Sequence, residues 1–148
     1  MYQKLQIKQL ETYPEKIVLP VDAVVSTNAD DPENHTVKDI NIIDEDEMGL
    51  DIGPATVALF SDTLKDAAIA VWNGPLGMYE NDNYKNGTND LLKFIVDNNV
   101  KTILAGGDIV AASRLAGLKD YIFYASTGGG STLEYLEGKK LPGLEAIK

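Results

Sequence analysis

Three short stretches of this 148-residue chain place glycine beside polar residues where apolar runs give way to helical spacing. They are Asn73-Gly74-Pro75-Leu76-Gly77, Ala105-Gly106-Gly107-Asp108 and Ser126-Thr127-Gly128-Gly129-Gly130-Ser131. Glycine at such points lets the backbone turn where a side chain cannot, or lets a ligand approach the main chain closely. Both readings are open from the sequence. If a ligand comes, helix N-termini offer it unpaired N–H groups and the positive end of a dipole, which suits anionic phosphate oxygens. Asp108 would repel a polyphosphate unless a cation lies between them. Mg²⁺ removes that conflict, because it takes one or two protein carboxylates together with phosphate oxygens and water. Read alone, Asp108 serves equally well as an ordinary helix cap.

The elements that must position these turns follow from periodicity. Residues 68–72, 102–105 and 121–125 are apolar runs of strand type, and each precedes one of the turns. Gly53-Pro54 opens a helix with Pro54 at its first position and Val57, Phe60 and Leu64 on one face. Thr88 reads as the N-cap of a second helix whose stripe is Leu91, Leu92 and Ile95, ending near Asn98. A third helix is predicted over 109–116, stopped by Gly117. The last begins after the glycine triplet, where Ser131 and Glu134 have capping-box spacing and Gly138 is a C-cap. Strands separated by helix-length segments must pair in parallel through right-handed crossovers, with helices on both faces. The expectation is an α/β, three-layer (αβα), Rossmann-like parallel-sheet domain whose strand-to-helix turns share one edge, where ligands bind. Upstream, residues 16–19 and 23–25 read as strand pieces interrupted by Pro20, residues 26–47 as a polar loop excursion, and the opening residues as a short helix.

Composition excludes several chemistries. The chain has 13 Lys+Arg against 23 Asp+Glu, a formal charge of -10 that repels nucleic-acid backbones and anionic membranes at long range. It has no cysteine, so disulfides, thiolate metal sites and a cysteine nucleophile are out. No secretory signal or membrane-length apolar run is present, and a cytoplasmic location is expected. The only histidine, His35, reads as a solvated loop residue, and residues 44–47 as solvated surface charge. Burial accounts for Trp72, and Lys139 and Lys140 complement a helix dipole.

The segments VWNGPLGMYE at 71–80, MGLDIGP at 48–54, GGD at 106–108 and STGGGSTLEYLEGKKLPG at 126–143 resemble phosphoglycerate kinase, specifically its C-terminal nucleotide-binding domain. LPVDAVV at 19–25 fits the same family, so the resemblance covers nearly the whole chain in order. It implies a phosphotransferase with a carboxyl-group acceptor, moving a phosphoryl group between 1,3-bisphosphoglycerate and Mg-ADP in glycolysis. By resemblance Asp108 holds the metal, Gly49 and Leu50 line the adenine pocket, Asn73 and Pro75 lie along the ADP or ATP, and Glu80 bonds the ribose. Gly106, Gly107, Gly128, Gly129 and Gly130 face the transferring phosphate. Phosphoryl transfer needs positioning and charge neutralisation more than covalent chemistry by the protein, which agrees with such a set.

The family usually has a third glycine where Ala105 stands and Ser or Thr where Ile109 stands. A lost hydrogen bond to a charged group costs about 1.5 to 3 kcal/mol, so Ile109 is expected to weaken nucleotide binding or slow transfer. The family's N-terminal domain, with its basic cluster for phosphoglycerate and its catalytic arginine, has no counterpart here. Nor has its glycine- and lysine-containing phosphate segment. The expectation is a single partial domain over 1–148, inactive alone, with 3-phosphoglycerate a partner only when the N-terminal domain is supplied. A noncatalytic scaffold derived from the same fold is the alternative.

Overall fold

The computed structural model describes residues 11–31 and 33–147, and the short helix expected for the opening residues lies outside them. After a 3-10 turn at Pro14–Lys16 come β1 (Asp22–Ser26), β2 (Thr36–Asp39), β3 (Met48–Ile52) and α1 (Pro54–Leu64). There follow β4 (Ala70–Asn73), α2 (Asn86–Asp97), β5 (Thr102–Ala105), α3 (Gly107–Leu115), β6 (Tyr124–Ser126), α4 (Gly129–Leu136) and the short α5 (Pro142–Glu145).

Strands β4, β5 and β6 form a parallel sheet in sequence order, with Val71, Ile103 and Tyr124 side by side. This is the α/β arrangement that the strand and helix periods demand. Strand residues alternate between faces. Trp72, Leu104 and Ala125 turn to one side, where Leu92 of α2 and Ile109, Val110 and Ala112 of α3 meet them. Leu91, Ile95 and Val100 form a second cluster with Phe60 and Leu64 of α1, and Trp72 packs against both. The stripe expected of α2 is therefore its buried face, and each fully buried leucine contributes about 1.5 to 3 kcal/mol. Val71 and Tyr124, on the opposite sheet face, remain 42% and 59% exposed.

A second sheet was not legible in the sequence. Strand β1 pairs antiparallel with β2 and with β3, in the order β2-β1-β3. Strand β2 lies inside 26–47, so that polar stretch is in part paired backbone rather than loop. Its sequence, Thr-Val-Lys-Asp, has one apolar residue and no alternation to betray it. Residues 16–19 form no strand. The 3-10 turn occupies Pro14–Lys16 and extended pairing waits until Asp22, past Pro20, which lacks an N–H to donate. Another 3-10 turn at Lys119–Tyr121 delays the last parallel strand to Tyr124.

Helix ends follow local rules at their C-termini, whereas the N-termini of α1 and α2 follow long-range ones. Gly117 and Gly138 take positive φ, and the pairs Leu118 N to Ser113 O at 2.9 Å and Lys139 N to Glu134 O at 3.0 Å close Schellman motifs. Asn99 ends α2 in the same way, with φ 54°. The N-termini of α1 and α2 are capped instead by aspartates of the antiparallel sheet. Asp22 on β1 accepts from Ala55 N at 2.9 Å and Thr56 N at 2.7 Å, and Asp51 on β3 accepts from Gly87 N at 2.8 Å. Thr88 is thus not the N-cap of α2, which begins two residues before it. Ser131 is likewise no cap: α4 starts from Gly128 without a side-chain cap, and Ser126 Oγ accepts the Gly128 N–H at 3.2 Å.

Tyr84 is fully buried, and its hydroxyl has no hydrogen-bond partner among the described residues. His35 sets its ring edge-on to it at 6.0 Å. An unpaired buried hydroxyl costs about 1 to 3 kcal/mol. Tyr84→Phe is therefore expected to hold or raise stability, by up to about 1 kcal/mol in urea denaturation. A loss of more than that amount would reveal an unseen partner.

Candidate functional site

The three strand-to-helix turns come together. They follow β4, β5 and β6 at the C-terminal ends of parallel strands, so they must lie along one edge. A β-carbon placed on Gly129 would sit 3.1 Å from the Asn73 amide nitrogen and 3.2 Å from the α-carbon of Gly106. Each of these residues belongs to a different turn. Gly106 has φ 115° and donates its N–H to Ser126 O at 2.8 Å, which ties the second turn to the third. Gly107 opens α3, Gly129 and Gly130 open α4, and a side chain at Gly107 or Gly130 would meet open space. The first-turn amides of two helices therefore face the same edge, where their orphan N–H groups and dipoles are oriented toward an anion.

The first turn is held from three sides. Trp72 donates its indole N–H to Gly74 O at 2.6 Å, and Thr88 Oγ1 accepts from Leu76 N at 2.9 Å. Met78 N donates to Leu50 O at 2.8 Å. A side chain on Gly77 would strike both the Asp51 carboxylate and the Tyr84 carbonyl, so glycine is required there by close packing. This rigid turn leads into a cleft of about 510 Å³ between it and α3, lined by Pro75, Tyr79, Glu80, Lys85 and Asp108 among others.

The expected site residues thus fall into groups. Asn73, Gly106 and Gly129 converge, with Gly107, Gly128 and Gly130 beside them in the same two turns. Pro75, Glu80 and Asp108 line one cleft. Gly49 and Leu50 are on β3, behind the first turn, and do not line that cleft. Sequence reasoning passed over Lys85 and Asp51 and read Thr88 as a cap rather than as a brace of the first turn. Lys85 is a cation at the start of a helix in an acidic chain, and its Nζ is 2.6 Å from Asp82. The other two act through contacts with no sequence signal.

The cleft is acidic, with Glu80, Asp82 and Asp108 against Lys85. Among the described residues no group of three or more His, Asp or Glu is placed to hold a metal. A carboxylate such as Asp108, without such a group, suits an ion that brings its own phosphate ligands, as Mg²⁺ does. Ala105 and Ile109, the departures noted above, are both fully buried, and Ile109 packs against Leu92 and Leu104. The Ile109 side chain serves the core. The expected penalty for a missing hydroxyl beside the phosphates therefore lacks the exposed position it assumed.

Known proteins share the sequence and the overall fold. The family model described as phosphoglycerate kinase matches residues 3–139. A phosphoglycerate kinase of Levilactobacillus brevis is 48% identical over 139 residues, 93% of this chain and 34% of the relative. One from Clostridium botulinum is 41% identical over 146 residues, 99% of this chain and 37% of the relative. The structure of phosphoglycerate kinase from Coxiella burnetii superposes with a TM-score of 0.86 at 34% identity, over 96% of this chain and 38% of that one. That of Pyrococcus horikoshii gives 0.81 at 28% identity, over 99% and 38%. The chain spans a little over a third of the length of the relatives it matches.

Proposed function

The chain belongs to the phosphoglycerate kinase family, and on that premise we propose that it is the nucleotide-binding part of such an enzyme. It holds Mg-ADP or Mg-ATP while a phosphoryl group passes between 1,3-bisphosphoglycerate and ADP, in the cytoplasm. The observation that carries this reading is the meeting of Asn73, Gly106 and Gly129 from separate turns, next to a cleft lined by Pro75, Glu80 and Asp108.

Each residue then has a physical task. The amides at Gly106, Gly107, Gly129 and Gly130 bind and orient the transferring phosphate, with Gly128 setting the start of α4. Asn73 and Pro75 lie along the nucleotide, Glu80 bonds the ribose, and Gly49 and Leu50 contribute to the adenine pocket from β3. Asp108 holds Mg²⁺, which when bound neutralises phosphate charge that Glu80 and Asp82 would otherwise repel. Fixed amides and a fixed charge cost no reorganisation as the reaction proceeds, which is where such sites gain their effect.

Calorimetric titration with ADP tests the reading. Binding is expected with Mg²⁺ and absent with chelator, and Asp108→Ala should weaken Mg-ADP by about tenfold, roughly 1.4 kcal/mol. Binding indifferent to both Mg²⁺ and Asp108 would refute the assigned role of Asp108. No binding under any condition would favour the noncatalytic scaffold. Transfer to 3-phosphoglycerate is proposed to need the part of the enzyme that carries the phosphoglycerate site, so the isolated chain should show no 3-phosphoglycerate-dependent ATP consumption.

A further inference from the structure

The Glu80 carboxylate, proposed to bond the ribose, is exposed, and no hydrogen bond or ion pair among the described residues holds it. Its place is therefore set by the main chain on either side. Asn81 fastens that chain to the loop after β1, its Nδ2 donating to Ala29 O at 3.0 Å. Tyr79 fastens it across the cleft. The Tyr79 hydroxyl is 3.0 Å from Asn89 Oδ1 on α2 and 3.2 Å from Ala112 O on α3, acceptors 10 and 33 positions away in the chain. A phenol has one proton to donate, so it serves one acceptor at a time and stays between the two helices. The ring packs against the cluster that contains Leu92, Ile109 and Ala112, but apolar contact has no direction and lets a ring slide. The hydrogen bond supplies the direction. Ala112 stands one helical turn after Asp108 on the same face of α3, and both line the cleft. The hydroxyl thus ties the backbone that carries Glu80 to the helix whose first turn carries Gly107 and Asp108.

We infer that the Tyr79 hydroxyl is a positioning group: it fixes the spacing between the Glu80 carboxylate and the phosphate-binding end of α3, and so sets how strongly the site prefers a nucleotide that carries ribose hydroxyls. The inference rests on the nucleotide reading. Ribose and phosphate are joined by covalent bonds of fixed reach, so a nucleotide gains from both subsites only when their separation matches its own. Without the hydroxyl, the backbone at Glu80 must be ordered by the ligand, at the ligand's cost. A phosphate held by α3 alone escapes that cost, and so does a nucleotide with no hydroxyl for Glu80 to bond.

The test is calorimetric titration of the native chain and of Tyr79→Phe, which keeps the ring, with three probes in the presence of Mg²⁺: ADP, 2′,3′-dideoxy-ADP and inorganic pyrophosphate. Tyr79→Phe is expected to weaken ADP about fivefold, the size of one neutral hydrogen bond, while dideoxy-ADP and pyrophosphate change by less than about twofold. The native preference for ADP over dideoxy-ADP should shrink by the same factor as ADP affinity. Tyr84→Phe, which removes a hydroxyl with no partner among the described residues, should leave all three affinities unchanged. A general loosening of the fold would weaken the three probes alike. That result, or an ADP affinity untouched by Tyr79→Phe, would overturn the inference and leave the nucleotide reading standing. A native chain that binds no ADP would sink the nucleotide reading, and the inference with it.

Discussion

Replacing Asp22 by alanine is expected to destabilise the chain by about 3 kcal/mol, because buried donors that lose a charged acceptor each cost 1 to 3 kcal/mol. Asp22 is 8% exposed, and its carboxylate accepts from Thr56 Oγ1 at 2.6 Å, Thr56 N at 2.7 Å and Ala55 N at 2.9 Å. Thr56 Oγ1 in turn accepts from the amides of Val21 and Asp22 at 3.0 Å each, so the network fastens β1 to the start of α1. Gly53 belongs to it as well, since a side chain there would strike the carboxylate. Burial pushes the Asp22 carboxyl upward, but the Thr56 hydroxyl and the Ala55 and Thr56 amides outweigh it and leave it below its ordinary value of 3.8. A depressed carboxyl stabilises the fold above its unfolded value and loses that contribution as pH falls through the folded one. Urea denaturation at pH 7 should therefore show the full penalty of Asp22→Ala, and the gap to the native chain should shrink below pH 3.8. An undiminished gap in acid would mean that the charge is irrelevant.

Asp51→Ala is expected to cost about 2 kcal/mol in stability, less than Asp22→Ala because it also removes a charge that is expensive to bury. Asp51 is 4% exposed, and burial raises its carboxyl above the ordinary value, with Asp90 adding to the rise and the Gly87 and Ile52 amides opposing it. Its pH signature is opposite to that of Asp22. A raised carboxyl favours folding in acid and costs stability as pH climbs from 3.8 through the folded value. The larger consequence is local. Asp51 lies against Gly77 and caps α2 through Gly87, so its loss frees the turn that carries Asn73 and Pro75. Mg-ADP affinity should fall by about tenfold alongside the stability loss, where a purely structural residue would leave the affinity of the folded fraction unchanged. Calorimetry at a temperature where the variant remains folded separates the two outcomes.

The meeting of the three turns at the candidate site was legible in the sequence because its signals are local. Glycine clusters after apolar runs mark strand-to-helix turns, and parallel strands put such turns on one edge regardless of side-chain detail. The third helix and the fifth strand lie within two residues of where the glycine stop and the apolar run put them. Thr88 was misread for an instructive reason. A threonine before an apolar stripe has the composition of a cap, yet its hydroxyl here accepts the Leu76 amide at 2.9 Å and braces the neighbouring turn.

By itself the sequence determined the βα alternation, the parallel sheet, the glycine turns and the helix stops at Gly117 and Gly138, because each depends on conformational preferences or hydrogen bonds spanning a few residues. Only the tertiary structure decided the antiparallel sheet and the capping of α1 and α2 by Asp22 and Asp51. Those contacts join residues 34 and 36 positions apart. No period encodes such pairings, and an aspartate that caps a distant helix has the same sequence neighbours as one that faces water.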